Sequence, residues 1–368
     1  MKMKKDSQYF KLMVLIVLVA LSCVMVTLIQ EMFSTEHDPS IYRNVHVSKR
    51  LMLWSLEPEN HNHSLQHHRK IVSKTYYPIV SQGYKINNER ICRGVEKVSC
   101  LVIVHTAANH FLRRVRMRTT WLNSTHYSPE NVRVVFLLGL VPDAITQHKI
   151  EQENKLYKDI VQGYFIDSYR NLTHKGVMGY KWISEHCMNA EIVAKIDDDA
   201  FINFFKLFEE MSQLKNKKKT MYCNKIPKDS MKIIRQNTSK WFVKDDEFKN
   251  MKRYPHTYCS GFTVFISIDL VPMLYRAAIA SPFFWVDDFF LFGLLPSKVP
   301  GMVHEAIRPN LTFMHKDAFT CYIRNGRNCQ YLVFPAKDKE IATMWLAVTH
   351  DRKQSIYGNY YMDLSSQT

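Results

Sequence analysis

Three adjacent carboxylates, Asp197, Asp198 and Asp199, directly follow the mostly apolar run 192–196. Such a run is typical of a strand buried on both faces, and open α/β sheets bind ligands at the carboxyl ends of these strands. Because side chains alternate along an extended backbone, we expect Asp197 and Asp199 on one side and Asp198 on the other. Carboxylate oxygens suit Mn²⁺ or Mg²⁺, and a cation held by few carboxylates keeps positions open for a diphosphate.

The alternative interpretation of this triplet is a helix N-cap, since carboxylates stabilise the first turn of a helix. One aspartate satisfies that need, whereas three adjacent acids repel one another without a cation. A phosphotransferase or hydrolase could use the same acids, but the chain has no Gly-rich loop to bind phosphates. The sequence therefore predicts a metal site that uses Asp197 and Asp199.

A second acidic pair, Asp287 and Asp288, lies in the apolar stretch 285–290. Burial raises the pKa of a carboxyl group, and a neighbouring like charge raises it further, which suits a general base for a sugar hydroxyl. A group transfer that inverts the configuration at the reacting carbon needs one base and one metal, but no nucleophile from the enzyme. Asp288 is the candidate base. Asp287 could instead cap a helix over 288–295, and the spacing alone leaves both roles open.

Strands alternate with helices from residue 99 onward, which predicts an α/β domain with a mostly parallel central sheet and helices on both faces. Trp121 and Trp182 are expected in its core. The predicted strands are 101–104, 132–138, 160–167 and 192–196, and the predicted helices end near 121 and span 143–157 and 175–188.

The N-terminal region contains an uncharged apolar run at 12–29, about long enough to cross a bilayer as a helix. Lysines precede it and acids follow it, so the chain beyond it is expected in the lumen. A cleaved signal peptide is the alternative, but the run continues past its weak cleavage site. The predicted organisation is a cytoplasmic tail at 1–11, a membrane anchor at 12–29, a lumenal stem at 30–90 and a catalytic domain at 91–368.

Glycosylation sequons and cysteines agree with a lumenal domain. Seven cysteines follow Cys23 of the apolar run, and most should pair in an oxidising compartment. Cys92 with Cys100 and Cys321 with Cys329 are the expected pairs by closeness, and the odd number leaves one thiol free or paired between chains. The sequons predict glycosylation at Asn62, Asn123, Asn171, Asn237 and Asn310.

The formal net charge of +16 would suit a nucleic-acid-binding protein. The lumenal context argues against nucleic acid, and the basic residues are dispersed apart from the run 215–219, which is expected to form a solvated loop after a helix. A basic surface can instead favour an anionic nucleotide donor or anionic membrane glycans.

Several blocks, in order, resemble the β-1,3-galactosyltransferase family, which includes β-1,3-N-acetylglucosaminyltransferases and is related to the fringe enzymes. The resemblance covers roughly residues 100–300. Its blocks are Arg-Val-Arg-Met-Arg-Thr-Thr-Trp at 114–121, Phe-Leu-Leu-Gly at 136–139, Asp-Ser-Tyr-Arg-Asn-Leu-Thr-His-Lys at 167–175, the Asp triplet and Tyr-Pro-His-Thr-Tyr-Cys-Ser-Gly at 254–261.

The resemblance implies a GT-A-type nucleotide-sugar-binding fold. Together with the anchor predicted at 12–29, it leads us to expect a single-pass type II protein of the Golgi membrane with a lumenal catalytic domain. It implies Mn²⁺-dependent transfer, with inversion, of galactose or an N-acetylhexosamine from a UDP-sugar to a glycoprotein or glycolipid glycan in β-1,3 linkage. It places the nucleotide near Arg114, Arg118, Asp167 and Lys175, the metal and diphosphate at Asp197, Asp198 and Asp199, the sugar and acceptor at Tyr258, Gly261 and Trp285, and the catalytic acids at Asp287 and Asp288, with the base on Asp288.

The chain also departs from the family pattern. Leu122 replaces a Gly, Asp287 replaces a Glu, and the position of the family's C-terminal His falls within Val333–Phe334. His304 and His315 remain candidates for a third metal ligand. These changes support an alternative hypothesis, in which the protein is a weak or inactive relative that serves as a glycan-binding or partner subunit.

Overall fold

The computed structural model describes residues 83–307, 315–335, 337 and 340–349. Within these ranges, no helix has the length and apolar character needed to cross a membrane. The predicted anchor at 12–29 lies outside the described residues. The first strand, β1 (Tyr84–Ile86), pairs with a later strand although it falls in the predicted stem, so the sheet begins before residue 91.

Ten strands in the described part of the chain form two sheets. The large sheet has the order β1-β4-β3-β2-β5-β8-β7-β9, and β10 pairs with β6 in the small one. The strands after β1 are β2 (Cys100–His105), β3 (Val132–Leu140), β4 (Ile160–Ile166), β5 (Ile192–Asp197), β6 (Ala200–Ile202), β7 (Thr220–Ile226), β8 (Tyr258–Ser267), β9 (Val303–Ala306) and β10 (Val333–Pro335).

The four central strands β4, β3, β2 and β5 run parallel, as the alternating pattern predicts. The sequence did not predict the strand beside them, β8, which pairs antiparallel with both β5 and β7. This arrangement matters for the site because β8 runs alongside the strand that ends in the acidic triplet.

Helices cover both faces of the large sheet, as predicted. They are α1 (Phe111–Thr119), α2 (Ala144–Tyr157), α3 (Leu172–His186), α4 (Phe204–Lys215), α5 (Val271–Ile279), α6 (Asp287–Phe289), which continues as a wider turn over Phe290–Leu294, α7 (His315–Asn325) and α8 (Ile341–Thr349). One core layer joins α3, α5 and α6 to the sheet and contains Trp182. The other joins α1, α2, α4, α7 and α8 and contains Trp121.

Two local predictions can be compared with this architecture. Helix α3 begins at Leu172, earlier than the predicted residue 175, because the turn Tyr169–Asn171 leads straight into it. The basic run 215–219 begins where α4 ends and is largely exposed, which confirms the predicted solvated loop.

Three disulfides link the described residues: Cys92–Cys187, Cys223–Cys259 and Cys321–Cys329. The predicted pairing of Cys321 with Cys329 is confirmed. The pairing of Cys92 with Cys100 is wrong, because Cys100 begins the buried strand β2 and stays a free thiol. Cys92 instead bonds to the residue that ends α3.

Candidate active site

The acidic triplet lies at the carboxyl end of the parallel strands. Asp197 is the last residue of β5 and lies opposite His105 at the end of β2. Asp198 and Asp199 then form the turn into β6. The prediction assumed an extended backbone through the whole triplet, but the strand ends at Asp197. The side chains of Asp197 and Asp198 nevertheless contact different residues, as predicted.

The buried carboxylate of Asp198 is held by three donors, two from the loop between β2 and α1 and one from the first turn of α1. Thr106 Oγ1 lies 2.7 Å, His110 Nδ1 2.6 Å and Arg113 Nη1 2.8 Å from its oxygens. Burial by itself raises the pKa of Asp198, but these hydrogen bonds outweigh it and hold the pKa below its usual value. Asp198 thus fixes the turn after β5 to the loop after β2, a role that sequence reasoning did not assign.

A buried lysine connects the two acidic motifs. Lys195 lies two residues before Asp197, on the same face of β5, and its Nζ donates to Asp197 Oδ1 at 2.6 Å and to the carbonyl of Gly261 in β8. Burial lowers the pKa of Lys195, but the carboxylates of Asp197, Asp287 and Asp288 outweigh this effect and raise it. Sequence reasoning missed Lys195, although a lysine in an otherwise apolar strand was a visible signal.

The second acidic pair meets this lysine from α6. The amide of Gly261 hydrogen-bonds to Asp288, and a Cβ at position 261 would lie only 1.9 Å from Asp288 Oδ1. Burial raises the pKa of Asp288, partly opposed by Lys195. The pKa of Asp287 rises through burial and through the adjacent charge of Asp288. The acids after β5 and those of α6 therefore face one shared cation.

The metal site can be tested against this donor set. The Asp197 side chain is 43 % exposed and Asp199 is exposed, so both can receive a ligand. Among the described residues, no three His, Cys, Asp or Glu side chains are grouped to hold a metal ion. His304 Nε2 lies 2.7 Å from the Phe292 carbonyl, and the side chain of His315 lies outside the described residues. Two carboxylates fit a hard cation that leaves most positions to water or diphosphate.

Arg114 does not lie where a phosphate could reach it. Its side chain is fully buried, and Nη2 and Nε donate to Glu153 at 2.6 and 2.9 Å. Nη1 and Nη2 also donate to the carbonyls of Ala107 and Ala108 at 2.8 and 3.1 Å. The nucleotide contact implied by the resemblance is replaced by a positioning role, since Arg114 fixes the loop that holds Asp198.

Arg118 belongs to the same buried network. Its Nη1 donates to Glu153 at 2.6 Å, and its Nε and Nη2 donate to Asp159 at 2.7 and 2.8 Å. This bidentate pair fixes the start of β4 to α1. The guanidinium group of Arg118, like that of Arg114, is occupied by buried carboxylates, so it does not serve as the nucleotide ligand that the resemblance implies.

Lys175 and Asp167 do lie at the carboxyl edge of the sheet. Lys175 Nζ donates to the Thr106 carbonyl at 2.6 Å and to Asp167 at 3.1 Å, and Asp167 Oδ2 accepts from the Gly139 amide at 2.7 Å. The ends of β2, β3 and β4 are joined in this way. Thr106, which sequence reasoning missed, connects this group to Asp198 through its hydroxyl.

The three predicted sugar-site residues, Tyr258, Gly261 and Trp285, are all buried. Tyr258 is buried, and its ring packs 5.6 Å from Phe289; burial and the Asp288 charge raise its pKa. Trp285 has 8 % of its surface exposed, and the guanidinium of Arg170 lies 3.6 Å from its ring centroid. The structure thus brings Tyr258 and Gly261 to Asp288 and places Trp285 beside them in sequence.

Three predicted glycosylation residues are described: Asn123, Asn171 and Asn237. Asn237 lies in an exposed loop. The amide of Asn171 donates to the Ile166 carbonyl at 2.8 Å, and Asn123 accepts from the backbone of the following turn. Asn62 and Asn310 lie outside the described residues, and glycosylation at all these positions stays a prediction.

The family profile and the most similar curated proteins reported below are all glycosyltransferases. The sequence profile of the family described as Galactosyltransferase matches residues 112–302. The chain is 29 % identical over 253 residues to human beta-1,3-galactosyltransferase 5, covering 68 % of this chain and 79 % of that protein. It is 28 % identical over 210 residues to mouse beta-1,3-galactosyltransferase 1, covering 55 % of this chain and 64 % of that protein.

A Xenopus laevis lactosylceramide 1,3-N-acetyl-beta-D-glucosaminyltransferase A is 30 % identical over 233 residues, covering 61 % of this chain and 60 % of that protein. The chain thus spans a little under two thirds of this relative and of the mouse protein. Among solved structures, an active-site mutant of LgtC aligns with a TM-score of 0.35 and 8 % identity, covering 68 % of this chain and 97 % of that chain. The bifunctional glycosyltransferase WbbM aligns with a TM-score of 0.33 and 9 % sequence identity, covering 74 % of this chain and 52 % of that chain.

Proposed function

Because the chain belongs to the galactosyltransferase family, we propose that it is an inverting glycosyltransferase that uses a UDP-sugar and Mn²⁺. The donor sugar is galactose or an N-acetylhexosamine, and the acceptor is a glycan of a glycoprotein or glycolipid, joined in β-1,3 linkage. The names of the human and Xenopus laevis relatives support this range of donors and this linkage. The proposal places the catalytic domain in the Golgi lumen, behind a single anchor at 12–29.

The observation that carries the proposal is the cluster of Asp197, Lys195, Gly261 and Asp288. It supports a site with two distinct acidic parts, one open to a ligand at the end of β5 and one buried at α6. A transfer with inversion needs these two parts, because the leaving group and the attacking hydroxyl lie on opposite sides of the sugar carbon.

In this mechanism Asp288 accepts the proton of the acceptor hydroxyl. The hydroxyl oxygen forms a bond to the anomeric carbon, the bond from that carbon to the diphosphate breaks, and UDP leaves with the electron pair. A raised pKa makes Asp288 a stronger base than a surface aspartate, and the Gly261 amide fixes its orientation. A cation bound at Asp197 and Asp199 would supply charge neutralisation for the leaving diphosphate.

Lys195 and the Asp198 contacts position these groups. Lys195 keeps Asp197 in place beside β8, and the donors from Thr106, His110 and Arg113 fix the turn that carries Asp199. Held in this way, the reacting groups lose little freedom when the substrates bind.

The test is a donor and acceptor panel with the purified full-length chain in detergent and Mn²⁺. We expect UDP release that depends on acceptor, with UDP-galactose or a UDP-N-acetylhexosamine as donor, and a β-1,3-linked product by NMR. Asp199→Asn is expected to abolish the Mn²⁺-dependent turnover without unfolding the protein. Turnover that is unchanged in this variant would contradict the metal role of the triplet.

A weak or inactive relative remains the second candidate, because the described residues supply no third metal ligand and Lys195 already pairs with Asp197. The same panel separates the two. Robust release that depends on acceptor excludes a purely binding role. Glycan binding with no release from any donor would favour the binding role.

A further inference from the structure

Four exposed residues and one buried tryptophan form a cluster of aromatic rings and cations next to the acidic residues. We call it the aromatic rim and define it as Tyr169, Arg170, Lys240, Trp241 and Trp285. The Arg170 guanidinium lies 3.6 Å from the Trp285 ring centroid, and the Tyr169 and Trp285 rings are 6.5 Å apart. Lys240 Nζ lies 4.5 Å from the Trp241 centroid and 5.6 Å from that of Tyr169.

The rim borders the catalytic acids through Trp285, which lies two residues before Asp287 and whose ring centroid is 6.5 Å from that of Tyr169. In agreement with this position, burial raises the pKa of Tyr169, and the carboxylates of Asp287, Asp288 and Asp197 add to this effect. The Lys240 ammonium lies close to the ring centroids of both Trp241 and Tyr169, which joins these residues into one cluster. The rim therefore continues outward from the place where the acceptor hydroxyl must react.

The charges of the rim are not neutralised within the described part of the chain. Arg170 and Lys240 are exposed and have no carboxylate within ion-pair distance there. The hydrogen bond of Arg170 in the structure goes to the Phe242 carbonyl at 3.3 Å. By contrast, the arginines of the buried network are paired with acids. The two rim cations thus keep donors available for an anion.

Exposed aromatic faces and cations that have no carboxylate partner in the described part of the chain together suit a charged sugar chain. Trp241 and Tyr169 are 51 % and 47 % exposed, so a sugar ring can cover their apolar faces. A neutral glycan would use the rings but supply no anion to pair with the two cations. Sulfate and carboxylate groups pair with Arg and Lys through charge-assisted hydrogen bonds.

The anion belongs to the acceptor and not to the donor diphosphate. The diphosphate is expected at the carboxyl edge near Asp197 and Asp199, whereas the rim reaches the site beside the buried pair at α6. An anion on the reacting sugar itself would be repelled by Asp287 and Asp288. The charged group therefore lies on a neighbouring sugar of the acceptor chain.

We infer that the acceptor is an anionic oligosaccharide whose sulfate or carboxylate group binds Arg170 and Lys240 while its sugar rings cover Tyr169 and Trp241. This inference rests on the proposed function, since it names the acceptor class of the same site.

The experiment compares three forms of one oligosaccharide: neutral, sulfated and carrying a carboxylate sugar. Binding to the full-length chain is measured by calorimetry, which needs no turnover, and transfer is measured in parallel. We expect at least one anionic form to bind about tenfold more tightly than the neutral form, an advantage that falls as salt rises. The anionic form that binds more tightly identifies the charged group.

Arg170→Met and Lys240→Met remove the charges but keep side-chain length. Each is expected to reduce the preference for the anionic over the neutral form about five- to tenfold. Lys228→Met removes an exposed lysine of the same 227–256 segment outside the rim and is expected to keep the preference. Thermal unfolding of each variant checks that the fold is retained.

Equal binding of all three forms, or a preference that survives both rim substitutions, would overturn the inference. If transfer to the neutral form is nevertheless observed, the proposed transferase function is retained and only the anionic acceptor is excluded. If an anionic form binds through the rim but no donor is ever consumed, the proposed transferase activity fails while recognition of anionic glycans is retained.

Discussion

Lys195 donates a 2.6 Å hydrogen bond to Asp197 from the same face of β5, and both groups lie within reach of the charge of Asp288. One cation thus stabilises acids from two distant parts of the sequence. Lys195 thus offsets part of the repulsion among Asp197, Asp287 and Asp288.

Lys195→Met is expected to destabilise the protein by about 3 kcal/mol, because it leaves the acids without their buried counter-charge. Denaturant unfolding measures this loss. The double variant Lys195→Met/Asp197→Asn removes one of the stranded charges and should recover part of the stability. A single variant as stable as the wild type would show that the lysine does not neutralise the acids.

Gly261→Ala is expected to lower the transfer rate about 10²-fold, because its Cβ would lie 1.9 Å from Asp288 Oδ1 and displace the base. Steady-state kinetics with a saturating donor measures the effect. The control is Gly83→Ala, since a Cβ there meets no atom within 4 Å. A wild-type rate for Gly261→Ala would place the base elsewhere.

The Glu153 network predicts a dependence of stability on pH. Burial raises the pKa of Glu153, but Arg114 and Arg118 outweigh it and lower the pKa below the ordinary 4.5. The resulting stabilisation is fully present above pH 4.5 and is lost as pH falls through the lowered value.

Glu153→Gln should therefore cost about 3 kcal/mol at neutral pH and progressively less in acid. Urea unfolding from pH 7 to pH 3 follows the difference between the two proteins. A difference that does not change over this range would mean that Glu153 does not bind a proton there.

The disulfide pairs predict the peptides that stay linked after digestion without reductant. Cys92 is expected in one species with Cys187, and Cys321 in another with Cys329, while Cys100 reacts with a thiol reagent only after unfolding. Mass spectrometry identifies the linked peptides. A peptide that joins Cys92 to Cys100 would contradict the fold around β2.

The sequence predicted the parallel core because its strands are short apolar runs separated by amphipathic helices. It did not predict β8, whose antiparallel position beside β5 depends on contacts far apart in the chain. Closeness in sequence also favoured Cys92 with Cys100, but Cys100 lies in the buried strand β2 and Cys92 bonds to Cys187, 95 residues further along the chain. Closeness in sequence is therefore a weak guide to disulfide pairing.

The sequence also predicted only part of the candidate site. Asp197 and Asp288 were visible because carboxylates in apolar surroundings are unusual. Arg114 and Arg118 matched a family block, but the block does not reveal that Glu153 and Asp159 occupy their guanidinium groups. Lys195 and Thr106 act through neighbours that only the folded sheet brings together.

The most direct test of the account is the transfer rate of Asp288→Asn, measured beside the binding of UDP with Mn²⁺. The substitution keeps the side-chain size but removes the proton acceptor, so we expect UDP binding to persist and transfer to fall about 10²- to 10⁴-fold. Transfer at the wild-type rate by a correctly folded Asp288→Asn protein would contradict the account.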